Sequence, residues 1–392
     1  MIIRSHLFTF VEKEDPMTNP FITSGYAGEA FFCDRKQETA SIREFLINGN
    51  NLALISPRRL GKTELLCHVF DDAQLRRQYH CFLVDIYSTK NLTDFVSLLG
   101  KAVVDELRSK GKAAWNKFIN IVGSLRAEIS FDDEGKPVWG IGLKGLRNPS
   151  LTLDEIFQYL DNADKPCFVA IDEFQQITRY GDDTVEALLR TYIQRCTRVH
   201  FVFSGSQRHL MGEMFTSPAR PFYQSVIVIN LQPLDREVYT DFCVRLFEEN
   251  GRHLERAVVS SLYERFEAVT SYMHRVMNVL YAWTAPGETC RADSIDEAVE
   301  YLLRLSSDTY ENLLYQMPEK QRALFLAIAS DGKASGLTGG PFLRRHGIAT
   351  ASSVQSALIG LLEKDFITMD RNVYSACDGF FVLWLKFKGL IP

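Results

Sequence analysis

Residues 51–70 hold the feature that most restricts how this chain can fold: an apolar run, a short loop and a helical pattern in direct succession. The run from Leu52 to Ile55 shows no alternation of polar and apolar residues, which is typical of a strand covered on both faces. The loop SPRRLGKT follows at residues 56–63, and helical spacing begins at Glu64. A strand, a loop ending in Gly-Lys-Thr and a helix together predict a phosphate cradle.

The chemistry of the loop favours a bound nucleotide. Its N–H groups and the helix N-terminus would face anionic oxygens, Lys62 adds a positive charge, and the Thr63 hydroxyl could ligate Mg²⁺. Gly61 stands where a side chain would crowd the phosphates, whereas Ser56 occupies the position at which such loops usually have glycine. The alternative is an ordinary strand, turn and helix in which Gly-Lys-Thr is a coincidence.

A second apolar strand ends in two acidic residues. Residues 167–171 are apolar, and Asp172 and Glu173 follow directly. A carboxylate at the end of a buried strand is costly unless it meets a cation. We therefore predict that Asp172 binds Mg²⁺ together with Thr63, and that Glu173 orients and activates water. The alternative is that Asp172 caps the N-terminus of a helix.

A third strand of this kind ends in small polar residues. Val199 to Phe203 is largely apolar, and Ser204, Gly205 and Ser206 follow. A hydroxyl at this position could contact the γ-phosphate or orient water, and the pattern does not choose between the two serines. A turn built from serine and glycine is the alternative.

The order of the remaining patterns predicts several domains. Five apolar strands with helices between them, within residues 19–232, predict an α/β fold with a mostly parallel sheet. Residues 1–18 predict a loose tail, and residues 125–147 predict a β-hairpin insertion. Helical spacing continues through residues 233–310, and residues 311–392 show the three helices and two strands of a winged helix-turn-helix.

Composition limits the class of protein. The chain has 392 residues and a formal net charge of −5, so nucleic-acid binding would need a local basic patch. Its 8 cysteines form no Cys-x-x-Cys pair and are typical of reduced thiols in a cytosolic protein. No apolar run is long enough for a transmembrane helix. We therefore expect a cytoplasmic protein with no membrane partner.

Six motifs in order carry a family resemblance: NPF…GY…FFCDRKQE, ALISPRRLGKT, FVAIDEFQQI, FVFSGSQ, SPARPFY and VYSACDGFFVLWL. The set resembles the AAA+/STAND-like P-loop ATPases, in particular the archaeal-ATPase group that is also common in bacteria. The resemblance covers residues 19–392, and SPRRLGKT with IDEFQ is its specific part. It implies a five-stranded AAA+-type core, a helical lid at 233–310 and a winged helix, with ATP and Mg²⁺ as cofactors.

The resemblance also implies roles for single residues. Lys62 would contact the β- and γ-phosphates, Thr63 and Asp172 would hold Mg²⁺, Glu173 would activate water, and Ser206 or Ser204 would sense the γ-phosphate. The expected nucleotide-binding residues are Phe21, Arg35, Pro57, Arg58, Arg59, Leu60, Gly61, Lys62, Thr63 and Glu64.

Three further assignments have less support from the motifs. Arg220 could approach the γ-phosphate from this subunit or a neighbouring one, or it could have a structural role at the surface. Arg35 matches the arginine of the family's Gly-Arg-x-x-x-Glu segment, although Asp34 replaces the glycine. His274 or Arg275 could act as a second sensor.

Two functions are consistent with these features. The first is a Mg²⁺-dependent ATPase that acts as a nucleotide-driven switch coupled to the winged helix. The second is a nucleotide-gated regulator that binds DNA or protein with negligible turnover. Residues 311–392 contain 9 Lys and Arg against 7 Asp and Glu, and the predicted recognition helix has only Lys364 as a cation. We therefore favour a protein over DNA as the partner of the winged helix. ATP and ADP are the expected ligands, and the chain could also form a homo-oligomer.

Overall fold

The computed structural model describes residues 19–108, 129–131, 137–139, 148–182 and 184–392. The predicted tail at 1–18 and most of the predicted insertion lie outside these residues. The chain divides into two compact units. The first, here called the ATPase unit, comprises residues 35–232 together with 309–392, and the second, the helical unit, comprises residues 233–308 together with the described part of the segment before residue 35.

Eleven strands occur among the described residues. In chain order they are β1 (Leu52–Ile55), β2 (His80–Asp85), β3 (Ile129–Phe131), β4 (Pro137–Trp139), β5 (Cys167–Asp172), β6 (Val199–Gly205), β7 (Ile227–Asn230), β8 (His253–Leu254), β9 (Thr289–Cys290), β10 (Ile367–Asp370) and β11 (Val373–Ala376). The short strands β3 and β4 pair in antiparallel fashion within the segment predicted to be a hairpin.

The helices are α1 (Lys36–Ile47), α2 (Lys62–Asp71), α3 (Ala73–Gln78), α4 (Leu92–Arg108), α5 (Pro149–Asp161), α6 (Val185–Arg195), α7 (Arg208–Thr216), α8 (Arg236–Glu248), α9 (Arg256–Arg265), α10 (Thr270–Trp283), α11 (Ser294–Leu305), α12 (Ser307–Gln316), α13 (Glu319–Asp331), α14 (Gly340–Arg345), α15 (Ala351–Glu363) and α16 (Gly379–Phe387). Among the described residues, none of them has the length and apolar character needed to cross a bilayer.

The central sheet has five parallel strands in the order β2-β5-β6-β1-β7, which confirms the predicted α/β class. Every residue of β1 and β5 is buried, as expected for strands covered on both faces. Strand β6 lies between β1 and β5, with Gly205 beside Ile55 and Phe203 beside Ile171. The segments that follow these three strands therefore meet at one edge of the sheet, here called the nucleotide edge.

The winged helix is built from α13 to α16 and the β10-β11 hairpin, as predicted. Arg371 and Asn372 form the hairpin turn with φ of 49° and 63°, the left-handed pair that two-residue hairpins require. The α16 helix packs its aromatic side chains inward, and the ring of Phe381 stacks on Tyr310 with a centroid separation of 4.7 Å. The winged helix belongs to the same compact unit as the sheet.

The helical unit contains α8 to α11 and, in addition, residues 19–34. The motif analysis placed this segment with the sheet domain, but its contacts assign it to the helices. Asn19 donates a hydrogen bond to the carbonyl of Asn278 at 2.7 Å, and the Phe21 ring is fully buried against Phe247 and His274. An aromatic residue packs where it can lose most water contact, and for Phe21 that place is the core of the helical unit.

Candidate nucleotide site

The loop after β1 has the backbone of a phosphate cradle. Arg59 and Gly61 have left-handed φ angles of 69° and 85°, and α2 begins directly afterwards at Lys62. A Cβ added to Gly61 would have its nearest protein neighbour, the Glu64 carboxylate, at 3.9 Å, so backbone conformation and not protein crowding requires glycine here. Ser56, which replaces the usual glycine, is buried, and its hydroxyl donates to the Pro57 carbonyl at 2.8 Å.

The Lys62 ammonium lies over this loop. Its Nζ donates to the carbonyl of Pro57 at 3.4 Å, and the residue is 6% exposed. Burial lowers the pKa of Lys62, while the nearby carboxylates of Glu173 and Asp172 act in the opposite direction. Lys62 is therefore near enough to the two acidic groups at the end of β5 to feel their charge.

Thr63 and Asp172 are in direct contact. The Thr63 hydroxyl donates to Oδ2 of Asp172 at 2.5 Å, and the Asp172 side chain is buried. The alternative role of Asp172 as a helix cap is not observed, because the following 3-10 turn (Phe174–Arg179) has Glu173 at its N-cap position without a side-chain bond. Two adjacent hard oxygen donors fit Mg²⁺, which proteins commonly hold through one or two side chains plus phosphate oxygens.

Glu173 is held by two side-chain donors in an unusual backbone conformation. Its φ is 55°, a left-handed value that is uncommon for a residue other than glycine. Its Oε2 accepts hydrogen bonds from the Ser206 hydroxyl, at 2.8 Å, and from the Gln175 amide. Non-glycine residues in this conformation cluster at functional sites. The carboxylate is thus fixed at the nucleotide edge, next to the end of β6.

The two candidate serines have different surroundings. Ser206 contacts Glu173, and its hydroxyl also accepts a hydrogen bond from Nε of Arg58 at 3.3 Å. Ser204 is completely buried, and its Oγ has no hydrogen-bond partner among the described residues. The geometry therefore favours Ser206 over Ser204 as the serine that acts at the site.

Arg35 contacts the phosphate loop through a hydrogen bond to a backbone carbonyl group. Its buried guanidinium donates to the carbonyl of Leu60 at 3.2 Å and to that of Gln232 at 2.7 Å. Asp34 and Arg35 have φ of 55° and 61°, so the backbone here is left-handed at two consecutive residues. This explains why a glycine suits the position of Asp34, and aspartate is one of the few other residues that tolerates it.

The other residues of the loop have contacts of their own. Arg58 forms an ion pair with Asp365 at 3.0 Å, and Arg59 forms one with Asp378 at 3.1 Å, both acids belonging to the winged helix. Glu64 lies in the first turn of α2, and burial raises the pKa of its carboxyl group. The arginines of the loop are therefore engaged by the winged helix.

Three predicted residues have partners elsewhere. Arg220 forms an ion pair with Glu186 at 2.7 Å, and Phe21 is enclosed within the aromatic core of the helical unit. His274 is half-buried against that core, and the partial loss of water lowers its pKa to about 4. An enclosed ring has no free face for a base, so Phe21 would have to act through its backbone.

Four residues near this edge were not predicted from the sequence motifs. Gln175 lies two positions after Glu173 in the conspicuous IDEFQ segment, so its position was the available signal. Arg179, Gln207 and Asp365 come together from distant parts of the chain, and no local pattern indicates their contact.

Comparisons with known proteins agree with this geometry. The family model described as an ATPase domain predominantly from Archaea matches residues 32–273, more than half of the chain. The chain belongs to this family. A second model, described as "Probable winged helix domain", matches residues 308–387 of this archaeal-type ATPase. The predicted family and the predicted winged helix are thereby confirmed. No curated protein matches the sequence.

Solved structures share the fold of this archaeal-type ATPase over nearly its whole length. The Walker-type ATPase PABY2304 of Pyrococcus abyssi is 18% identical with a TM-score of 0.63, covering 94% of this chain and 99% of that one. The Aeropyrum pernix ORC1 protein, solved in complex with DNA, is 12% identical with a TM-score of 0.56, covering 95% of this chain and 97% of that one. At these identities the likeness shows the fold alone.

Proposed function

We propose that this protein binds ATP with Mg²⁺ at the nucleotide edge, hydrolyses it, and uses the nucleotide as a switch coupled to the winged helix. The observation that carries the proposal is the 2.5 Å contact between Thr63 and Asp172, beside Lys62 and Glu173. Phosphoryl transfer mainly requires positioning and charge neutralisation, and these four side chains supply both.

Each residue has a defined part in the proposed reaction. The amides at the start of α2 and the ammonium of Lys62 bind the phosphates. Thr63 and Asp172 would hold Mg²⁺, which when bound neutralises charge on the phosphate oxygens. Glu173, oriented by Ser206 and Gln175, accepts a proton from the attacking water.

The proposal is tested by phosphate release from the wild type, Glu173→Gln and Lys62→Ala, with nucleotide affinity measured in parallel. We expect Glu173→Gln to bind ATP as the wild type does but to release phosphate at least a hundredfold more slowly, because general-base catalysis contributes about 10²–10⁴ in rate. Lys62→Ala should lose affinity. Equal release by wild type and Glu173→Gln would remove Glu173 from the mechanism, and no nucleotide binding by the wild type would refute the whole proposal.

The winged helix is proposed to contact a protein. The exposed face of α15, the recognition helix of such folds, carries Ser352, Gln355, Ser356 and Ile359, the last of them 59% exposed. This face offers no cation for phosphates, and hydrogen-bond donors alone give little affinity for a duplex. The lid role of residues 233–310, the cytoplasmic location, a homo-oligomer and the approach of Arg220 to the γ-phosphate stay predictions.

A further inference from the structure

The Asp365 carboxylate of the winged helix contacts donors from four segments of the sheet domain, which follow β1, β2, β5 and β6. Oδ2 of Asp365 pairs with Arg58 of the phosphate loop at 3.0 Å, and Oδ1 pairs with Arg179 at 3.3 Å. Gln207 donates its amide to Oδ1 at 2.9 Å, and the Tyr87 hydroxyl donates to Oδ2 at 3.3 Å. These five residues are here called the Asp365 cluster.

The backbone at Asp365 fits a specialised role. The residue directly follows the C-cap of α15 with a φ of 56°, where helices usually have glycine. Its side chain is only 8% exposed, so the carboxylate depends on its partners for compensation. Ending the helix does not explain why this left-handed position holds a buried aspartate instead of glycine, so we look for a functional role of its carboxylate.

The cluster is connected to the catalytic glutamate of the proposed function by hydrogen bonds. Arg58 holds Asp365 through Nη2 and donates through Nε to the Ser206 hydroxyl at 3.3 Å. That hydroxyl in turn donates to Glu173 at 2.8 Å. Glu173 would face the γ-phosphate. Only the side chain of Ser206 lies between Glu173 and the Arg58 guanidinium, so this guanidinium is close to the expected position of that phosphate. A diphosphate lacks the γ-phosphate, so it would place no anionic group beside Glu173.

We propose that Asp365 competes with the γ-phosphate for Arg58, so that the winged helix sets how strongly the site discriminates ATP from ADP. Two anionic groups beside one guanidinium repel each other, most strongly where water is largely excluded. ATP binding therefore weakens the hold of Asp365 on the phosphate loop and loosens the winged helix, whereas ADP leaves the pair intact. Linkage makes the effect reciprocal: a docked winged helix disfavours ATP.

The test rests on the proposed function and compares two affinities, for a non-hydrolysable ATP analogue and for ADP. Asp365→Asn keeps the shape of the side chain and tolerates a left-handed φ, so it removes the charge alone. We expect it to raise the affinity for the ATP analogue about five- to tenfold and to change the ADP affinity less than twofold. In an Arg58→Gln background the same substitution should have no effect, because the pair it acts through is absent.

The matched control is Asp370→Asn. Asp370 also joins the winged helix to the sheet domain, through an ion pair with Arg208 at 3.1 Å, but that pair is exposed and separate from the cluster. Asp370→Asn should leave both affinities unchanged. A weaker or unchanged affinity of Asp365→Asn for the ATP analogue would overturn the inference, because Asp365 would then position Arg58 for the phosphate or have no part in binding.

A second measurement needs no variant. In the wild type, the ATP analogue should increase amide hydrogen exchange in β10 and β11, whereas ADP should leave it unchanged. Equal exchange with both nucleotides would contradict competition at Arg58. If the wild type binds neither nucleotide, both the proposed function and this inference fail. If the wild type binds nucleotide tightly but Asp365→Asn has the same ATP-to-ADP preference, only this inference is overturned.

Discussion

Single side chains at the ends of β1, β5 and β6 define the site. Thr63 and Asp172 touch, Lys62 lies beside both acids, and Ser206 bonds Glu173. These contacts arise because parallel strands bring their carboxyl ends to one edge, where residues far apart in sequence become neighbours. The arrangement makes the two serines at the end of β6 a direct test of the site.

Ser206→Ala should slow phosphate release about tenfold or more, because a hydrogen bond to a charged group is worth about 1.5–3 kcal/mol. Ser204→Ala is the matched control, since its buried hydroxyl has no hydrogen-bond partner among the described residues. It should leave turnover and stability nearly unchanged. Steady-state phosphate release by both variants checks this, and a larger loss in Ser204→Ala would show that the wrong serine was chosen.

For single residues, the sequence predicts the chemical role of a side chain better than it predicts which other side chains it contacts. The acidic pair and the Gly-Lys-Thr were identifiable because polar groups at the end of a buried strand are costly unless they have a binding partner. Phe21 was predicted to bind nucleotide from the family resemblance, which gave no sign that its ring packs against Phe247 and Tyr281. Asp365 was not considered at all, because its contact with Arg58 spans the length of the chain.

Among the elements, α10 carries a titratable group inside an aromatic core. His274 packs against Phe21 and Tyr239, and its Nδ1 lies 3.4 Å from the Tyr239 hydroxyl. Burial lowers its pKa from an ordinary value near 6.5 to about 4. A histidine that stays neutral in the folded state makes the stability of the helical unit depend on pH.

We expect the helical unit to lose stability as pH falls from about 6.5 toward 4, because the unfolded chain takes up a proton that the folded His274 excludes. The contribution is fully present above the unfolded pKa, and its steepest loss is about 1.4 kcal/mol per pH unit. Hydrogen exchange of α10 amides across this range measures it.

The control for this titration is an exposed histidine of the same unit. His274→Gln should flatten the pH dependence, whereas His253→Gln should retain it, since His253 is exposed. An unchanged slope in His274→Gln would assign the effect to other groups.

The pattern of whole elements was largely predictable. Sequence patterns located the five strands of the central sheet, the helices within residues 233–310 and the wing, because burial on a sheet or helix leaves a regular trace. The start of α1 leaves no such trace, because the helix begins at Lys36 after two left-handed residues, Asp34 and Arg35. Left-handed conformations at residues other than glycine have no dependable sequence signal.

On the scale of the molecule, the charge of the winged helix decides what it can bind. Arg345 forms an ion pair with Asp331 at 3.1 Å, which neutralises part of the positive charge of this domain. The face of α15 adds no cation before Lys364. We therefore expect the winged helix to contribute little electrostatic affinity for a duplex.

We expect no shift of a random-sequence duplex by micromolar protein at low salt, with ATP analogue or without nucleotide. Gel electrophoresis measures this, and a variant with Ser356→Lys and Ile359→Lys provides the control, because two added cations on the exposed face should produce salt-dependent binding. A clear shift by the wild type would favour the DNA-binding alternative.

The Asp365 cluster has a further consequence for biosynthesis. The phosphate loop, β5 and β6 all precede residue 232, whereas Asp365 is made more than a hundred residues later. At about 5–20 residues per second, translation leaves an interval on the order of ten seconds in which the nascent sheet has emerged without the acid that opposes ATP. From the proposed competition we expect the growing polypeptide to bind ATP more readily during that interval, and a nucleotide bound then would stabilise the folded sheet before synthesis ends.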